Sequence, residues 1–253
     1  MKQLIHDLFS KFGLKLIKRQ TMNGGSNFSI SNFQYSIVTP SANYSPWFQD
    51  EEFAKIYSKA KHNTLVDIYR MYELWELTEQ MIKLDNTASI LEVGVWKGGT
   101  AAIIARKMAI NALNVNFYIA DTFSGVVKSS DKDLFYNDSE HNDTSLEIVE
   151  NLLEGIYPYV KVLQGIFPED TENLISKDEK FSLCHIDVDV YKSAKDILEW
   201  IWDRMIIGGV IVFDDYGFHS CTGVTSYVND LKSMTDRLVI HNINGHALVV
   251  KLR

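Results

Sequence analysis

Four aspartates carry the clearest chemistry in this 253-residue sequence. Asp187 and Asp189 stand in His185-Ile-Asp-Val-Asp-Val-Tyr191, and Asp214 and Asp215 in Phe213-Asp-Asp-Tyr-Gly217. Each pair closes a short apolar run, Phe181–Ile186 or Val210–Phe213, that reads as a β-strand. Neighbouring strands lie about 4.8 Å apart, so acids at both C-terminal ends converge on one point. Open α/β sheets also place their ligands at that edge. Crowded carboxylates repel one another until a cation neutralises them, and oxygen-only ligands select Mg2+, Mn2+ or Ca2+ over zinc. A single acid at a strand end is ordinarily a cap or a solvated loop residue. Four at two adjacent ends are not explained that way.

A second constellation precedes them. Ile90-Leu-Glu-Val-Gly-Val-Trp-Lys-Gly-Gly-Thr100 reads as strand, glycine turn and helix start. Gly94 lets the chain turn at the strand end, Gly98 and Gly99 let backbone approach a ligand, and Thr100 caps the helix. A dinucleotide site prefers G-x-G-x-x-G with pyrophosphate on the helix N-terminus. Here the spacing is G-x-x-x-G-G, and Glu92 stands two residues before the first glycine. A carboxylate there repels a pyrophosphate but suits the cationic, phosphate-free methionyl end of S-adenosylmethionine. The next strand ends in Asp121-Thr122-Phe123-Ser124-Gly125, where an acid accepts hydrogen bonds from both ribose hydroxyls of an adenosyl group. A third runs into Gln164-Gly165-Ile166-Phe167, placed to flank an adenine. The expected cofactor contacts are therefore Glu92, Gly94, Gly98, Thr100, Asp121, Thr122, Gly165 and Asp187.

The elements that must position these groups begin near Ala88. Apolar runs at Ser89–Val93, Val115–Ala120, Val160–Leu163, Phe181–Ile186 and Val210–Phe213 alternate with amphipathic helical segments, such as the one Ser193-Ala-Lys-Asp196 introduces. This is the pattern of parallel strands covered on both faces. Leu238–Ile243 and His246–Leu252 are joined by Asn244-Gly245, a strong hairpin signal. A parallel sheet closing in an antiparallel hairpin predicts an α/β, Rossmann-like, doubly wound fold of the class I methyltransferase type. Upstream, helices are expected from about Trp47 and from Thr64, where Thr64-Leu-Val-Asp67 reads as a capping box and Leu65, Ile68, Met71, Tyr72 and Trp75 recur at helical spacing. The expected division is a helical extension and cap over 1–85 and a catalytic domain over 86–253. Residues 20–46 read as a loop. The acid-rich segment Lys128–Asp143 and the aromatics around Tyr44 and Trp47 are candidate covers for an acceptor.

Composition narrows the function classes. Hydrophobic residues make up 46% of the chain, and the net charge of −8 excludes a general nucleic-acid binder. Cys184 and Cys221 lack a C-x-x-C spacing, which points to a reducing, cytoplasmic setting. The first nineteen residues read as a short, basic, amphipathic helix that packs on the domain or a partner subunit, with weak contact to an anionic membrane surface as the alternative. A homo-oligomer is expected.

ILEVGVWKGGT, ADTFSG, LQGIFPEDT, HIDVDVYKS and GGVIVFDDYG resemble the macrocin O-methyltransferase family, the TylF/MycF/NovP-like sugar methyltransferases. SPWFQDEEF and TLVDIYRMYELWEL are similar to its helical lead-in, so the resemblance spans roughly residues 45–253. It implies methyl transfer from S-adenosylmethionine to the hydroxyl of a sugar or glycan, with Mg2+ or Mn2+ on Asp187, Asp214 and Asp215. Asp189 is then the candidate general base beside Asp187. His185, His219 and His246 are reserve bases, each expected to be structural or exposed. Three other readings remain: a D-x-D glycosyltransferase, a non-catalytic binding protein on the same fold, and a metal-dependent hydroxylase. The hydroxylase calls for histidine ligands, and none is expected beside the Asp214-Asp215 turn.

Overall fold

The computed structural model describes residues 44–253. The basic N-terminal segment and nearly all of the loop expected over 20–46 lie outside these residues. After a 3-10 turn at Pro46–Gln49, the chain forms α1 (Glu51–Ala60), α2 (Ile68–Leu84), β1 (Ser89–Val93), α3 (Gly99–Ile110) and β2 (Phe117–Asp121). It continues through α4 (Leu146–Leu153), β3 (Val160–Gln164), β4 (Phe181–Ile186), α5 (Tyr191–Ile201) and β5 (Met205–Phe213). It closes with α6 (Thr222–Leu231), β6 (Arg237–His241) and β7 (Ala247–Lys251). Among the described residues no helix is long and apolar enough to cross a membrane.

The seven strands make one sheet in the order β3-β2-β1-β4-β5-β7-β6. The first five pair in parallel, and β7 runs antiparallel to both β5 and β6. This is the mostly parallel sheet with a C-terminal hairpin that the strand pattern predicts. The hairpin turns where Asn244-Gly245 stands, with Gly245 at φ +105°. Side chains alternate between the two faces along each strand. Ile90, Phe117, Ile119, Leu183, Val210 and Val212 pack under α1, α2 and α3, while Leu91, Ala120, Cys184, Ile211 and Phe213 pack under α5 and α6. Phe53, Ile56, Met71, Leu74 and Trp75 belong to the first of these cores. Residues 44–85 therefore form a helical layer over one sheet face, within the same compact unit as the strands.

Two helix starts differ from the sequence expectation. Asp67, not Thr64, caps α2: its carboxylate accepts from the amides of Tyr69 and Arg70 at 2.9 and 3.1 Å. Thr64 instead holds a turn by accepting from the Val66 amide, which leaves Leu65 68% exposed and off the core stripe. Ser193-Ala-Lys-Asp196 lies inside α5, which begins at Tyr191. The acceptor for the Tyr191 amide is Asp133 Oδ1, at 2.8 Å, a group 58 positions upstream that local spacing cannot reveal.

Candidate active site

The C-terminal ends of β1, β2, β4 and β5 and the loops that follow them enclose a cavity of about 260 Å3. Gly94, Asp121, Thr122, Gly165, Asp187, Asp189, Asp214 and Asp215 all line it, together with Arg70, Tyr136, His141, Phe218 and Cys221. With Thr100, which also lines it, nine residues nominated from their place in the sequence meet at one opening.

The glycine loop is built around Gly94. At φ +86° it holds a conformation that side chains disfavour, and a β-carbon there would lie 1.8 Å from the carbonyl oxygen of Asp187. The close approach carries a ladder bond, from the Asp187 amide to the Val93 carbonyl at 2.9 Å. Of the other loop residues nominated for the cofactor, Thr100 lines the cavity and Gly98 does not; nor does Gly99. A β-carbon on Gly99 would sit 2.7 Å from Asn63 O, so this glycine serves the packing of α3 beneath the turn after α1. Thr100 is not the cap of α3, a place taken by Gly98. Its hydroxyl donates instead to Glu92 Oε1 at 2.5 Å.

Glu92 is also displaced from its expected role. Strand alternation turns it away from the cavity and onto the α2 face, fully buried, where Oε1 also meets His185 Nδ1 at 3.0 Å. Its Oε2 has no hydrogen-bond partner among the described residues. Asp121 does line the cavity, but three backbone amides occupy it: Val95 and Trp96 donate to Oδ2 at 2.8 and 2.9 Å, and Phe123 to Oδ1 at 2.7 Å. A carboxylate offers about four lone-pair directions, so about one remains for a ligand hydroxyl. Burial pushes its pKa up despite these donors. Thr122 Oγ1 is taken up within its own loop, donating to Gly125 O and accepting from Ser124 N.

The four aspartates converge as the strand ends require. Asp187, Asp214 and Asp215 each offer a carboxylate oxygen within 4.8 Å of the others. Asp189 sits at φ +62°, a left-handed position aspartate tolerates better than most residues. Its amide donates to Asp215 Oδ2 at 3.1 Å, and Cys221 Sγ lies 3.7 Å from its Oδ1. No donor among the described residues reaches the Asp187 carboxylate. Burial, reinforced by Asp214 and Asp215, pushes Asp187 well above the ordinary carboxylate range. Burial and the charges of Asp189 and Asp214 do the same to Asp215.

Asp214 behaves in the opposite way, and here the sequence expectation fails. Histidines do flank the Asp214-Asp215 turn. His246 Nε2 meets Asp214 Oδ1 at 2.9 Å, and His185 Nε2 lies 3.5 Å from the same oxygen. Arg70 Nη1 donates to Oδ2 and Arg70 Nε to Asp67 at 3.0 Å, with the guanidinium over the Phe218 ring. Burial alone would raise Asp214, but His185, His246 and Arg70 hold it far below the usual range. Burial would depress His185, yet Asp214 and Glu92 raise it to about 10. Both histidines are fully buried, as a structural role requires, whereas His219 stacks on Phe135 with ring centroids 4.2 Å apart. Every ring nitrogen of His185 and His246 faces a carboxylate, at Glu92, Glu73 or Asp214. With Asp214 they also form a buried group whose ligand atoms lie within 4.8 Å of one another.

Strand alternation explains this buried row. Glu92, His185, Asp214 and His246 fall in phase on the α2 face of β1, β4, β5 and β7, which are consecutive in the sheet. Arg70 and Glu73, one turn apart on α2, meet the row from above. Of the expected covers, the segment after β2 contributes Gly125, Val126, Val127, Tyr136 and His141 to the cavity wall. Tyr44 and Trp47 do not line it; they pack on Tyr69, with Trp47 also against Tyr72.

The family model for macrocin O-methyltransferase (TylF) matches residues 56–248. Mycinamicin III 3''-O-methyltransferase of Micromonospora griseorubida is 26% identical over 229 residues, covering 83% of this chain and 89% of that protein. A tetracenomycin C 4'-O-methyltransferase of Streptomyces olivaceus, whose name specifies a dimethoxy-rhamnosyl substrate, is 24% identical over 172 residues, covering 63% of this chain and 64% of that one. Among solved structures, the O-methyltransferase NovP superposes with a TM-score of 0.66 at 21% identity, over 76% of this chain and 83% of NovP.

Proposed function

Because the chain belongs to the macrocin O-methyltransferase family, we propose that this O-methyltransferase moves a methyl group from S-adenosylmethionine to a sugar hydroxyl, with a divalent metal on Asp187, Asp214 and Asp215. The sugar acceptor is supported by the relatives, one of which acts on a rhamnosyl group by name. Family membership replaces the glycosyltransferase reading of D-x-D, and the intact acid cluster argues against a binding protein without chemistry.

The observation that carries the metal is an excess of buried acid. Glu73, Glu92, Asp187, Asp189, Asp214 and Asp215 outnumber Arg70, His185 and His246, and the uncompensated share falls on Asp187 and Asp215. Their oxygens fit a hard divalent cation. The adenosyl end of the donor then lies along Gly94, Asp121, Thr122 and Gly165, on the side of the cavity away from Asp214.

A sugar alcohol is a weak nucleophile near neutral pH, and a divalent ion supplies the Lewis acidity that lowers its pKa. The chain's own residues do the rest. Asp187, Asp214 and Asp215 would hold the ion, and Gly94 keeps the Asp187 backbone in register. Asp189, aimed into the cavity by its left-handed backbone, accepts the hydroxyl proton. Tyr136 and His141 close the wall beside it and limit the access of water.

Calorimetric titration with S-adenosylmethionine, in Mg2+ and then in excess EDTA, tests the reading, with NAD and UDP-glucose as controls. Expected are binding of S-adenosylmethionine, separate binding of Mg2+, and a gain of about 14 Da on a sugar acceptor, the mass of the methylene added in the transfer. Uptake of UDP-glucose in place of S-adenosylmethionine overturns it.

A further inference from the structure

We infer that Glu73, on α2, is a positioning residue for Asp214 and acts on it through His246. The inference rests on the reading of Asp214 as a metal ligand.

Glu73 does not line the cavity, yet three side chains engage its carboxylate. Asn242 Nδ2 donates to Oε1, and Asn244 Nδ2 donates to Oε2 at 3.0 Å. His246 Nδ1 meets the same Oε2 at 2.5 Å. These three donors come from one hairpin turn, the connection of β6 to β7. His246 Nε2 in turn meets Asp214 Oδ1 at 2.9 Å. With a carboxylate oxygen at each ring nitrogen, the imidazole is fixed in tilt and rotation.

The far end of this relay decides where Asp214 Oδ1 stands. Arg70, three positions before Glu73, grips Oδ2 of the same carboxylate. One face of α2 therefore holds both oxygens of Asp214, one directly and one through His246. A carboxylate clamped at both oxygens presents its remaining lone pairs in fixed directions. A ligand aimed in this way binds metal more tightly than one that must be ordered on binding. Outer partners of this kind typically change metal affinity by about 10–100-fold.

Anchoring the hairpin and aiming Asp214 are separable roles. Asn242 serves only the first, while Glu73 and His246 serve both; Asn244, whose Oδ1 also accepts from the His246 amide at 3.0 Å, is tied to both as well.

The test is Mn2+ affinity by calorimetry on the full chain, with the melting temperature and the affinity for S-adenosylhomocysteine read in parallel. Glu73→Ala is expected to weaken Mn2+ binding by about 10–100-fold and to leave S-adenosylhomocysteine binding unchanged. Asn242→Ala is expected to lower the melting temperature and leave Mn2+ affinity at the wild-type level. His246→Gln, which cannot span Glu73 and Asp214, carries the same expectation as Glu73→Ala should that protein fail to fold. Wild-type Mn2+ affinity in a folded Glu73→Ala or His246→Gln protein overturns the inference. So does a loss in Asn242→Ala equal to that of Glu73→Ala, since the role is then turn anchoring alone. Absence of Mn2+ binding by the wild-type chain overturns the metal reading itself, and this inference with it.

Discussion

Replacing Gly94 with alanine separates two costs that glycine avoids at this position. The first is conformational: at φ +86° a β-carbon costs about 1–2 kcal/mol. The second is collision. The added carbon would lie 1.8 Å from the Asp187 carbonyl oxygen, and β-carbons do not approach backbone closer than 3.0 Å, so the two segments must part by at least about 1.2 Å. Overpacking of this kind costs about 1–3 kcal/mol. The parting also strains the bond from the Asp187 amide to Val93 O, whose loss leaves buried groups unpaired at about 1–3 kcal/mol. Together these destabilise the protein by at least about 3 kcal/mol. Gly155 supplies the control, since it sits at φ +69° with nothing within 4 Å of an added β-carbon. Gly155→Ala therefore carries the conformational cost alone. At roughly 2–4 °C per kcal/mol for a chain of this size, the control loses about 2–8 °C and Gly94→Ala about 4 °C or more beyond it. Differential scanning fluorimetry measures both, and Mn2+ titration adds a second readout, because the displaced backbone carries Asp187. Equal melting temperatures for the two variants, with Mn2+ affinity unchanged, would refute the reasoning.

Two further outcomes follow from the acid cluster. Asp189→Asn keeps the shape and the backbone bond to Asp215 but removes the proton acceptor, so kcat should fall by about 10²–10⁴-fold with Mn2+ and S-adenosylhomocysteine affinities retained; a loss confined to KM would place Asp189 in binding instead. The raised pKa values of Asp187 and Asp215 contribute stability to the metal-free chain that is complete below the ordinary carboxylate range and falls as pH rises through the raised values. His185 acts in the same direction: its contribution is complete below 6.5 and lost as pH passes about 10. Mg2+ answers the carboxylate part of that loss, so the melting-temperature gain from Mg2+ over EDTA should grow from pH 6 to pH 9. A gain independent of pH would remove the carboxylates from the site.

The sheet and the acids were legible because both are written locally. Ser89–Val93 and Phe181–Ile186 are strands with the bounds their apolar runs suggest. The D-x-D and D-D pairs meet because parallel strands end side by side. What was not legible is the answering charge. Arg70 pairs with Asp214 across 144 positions and Glu73 with His246 across 173, and no local pattern announces such partners. Arg70 and Glu73 sat unread among the apolar residues of a core helix. One signal was available: Glu92, His185 and His246 share the strand phase of the apolar residues facing α2, which marks them as buried groups in need of partners rather than ligands for a cofactor. Glu92 was misassigned because its nearness to the glycine loop outweighed its phase.

The long reach of these pairings also sets an order of events in time. A ribosome releases Arg70 and Glu73 well before His246, which follows Glu73 by 173 positions, so the carboxylate cluster stays without one of its hydrogen-bond partners until β7 has left the exit tunnel. Closing loops of 144 and 173 positions is entropically costly before the sheet exists. The pocket is thus completed only once β7 is in place, and chains interrupted before it lack the His246 ring that meets Asp214 Oδ1 at 2.9 Å.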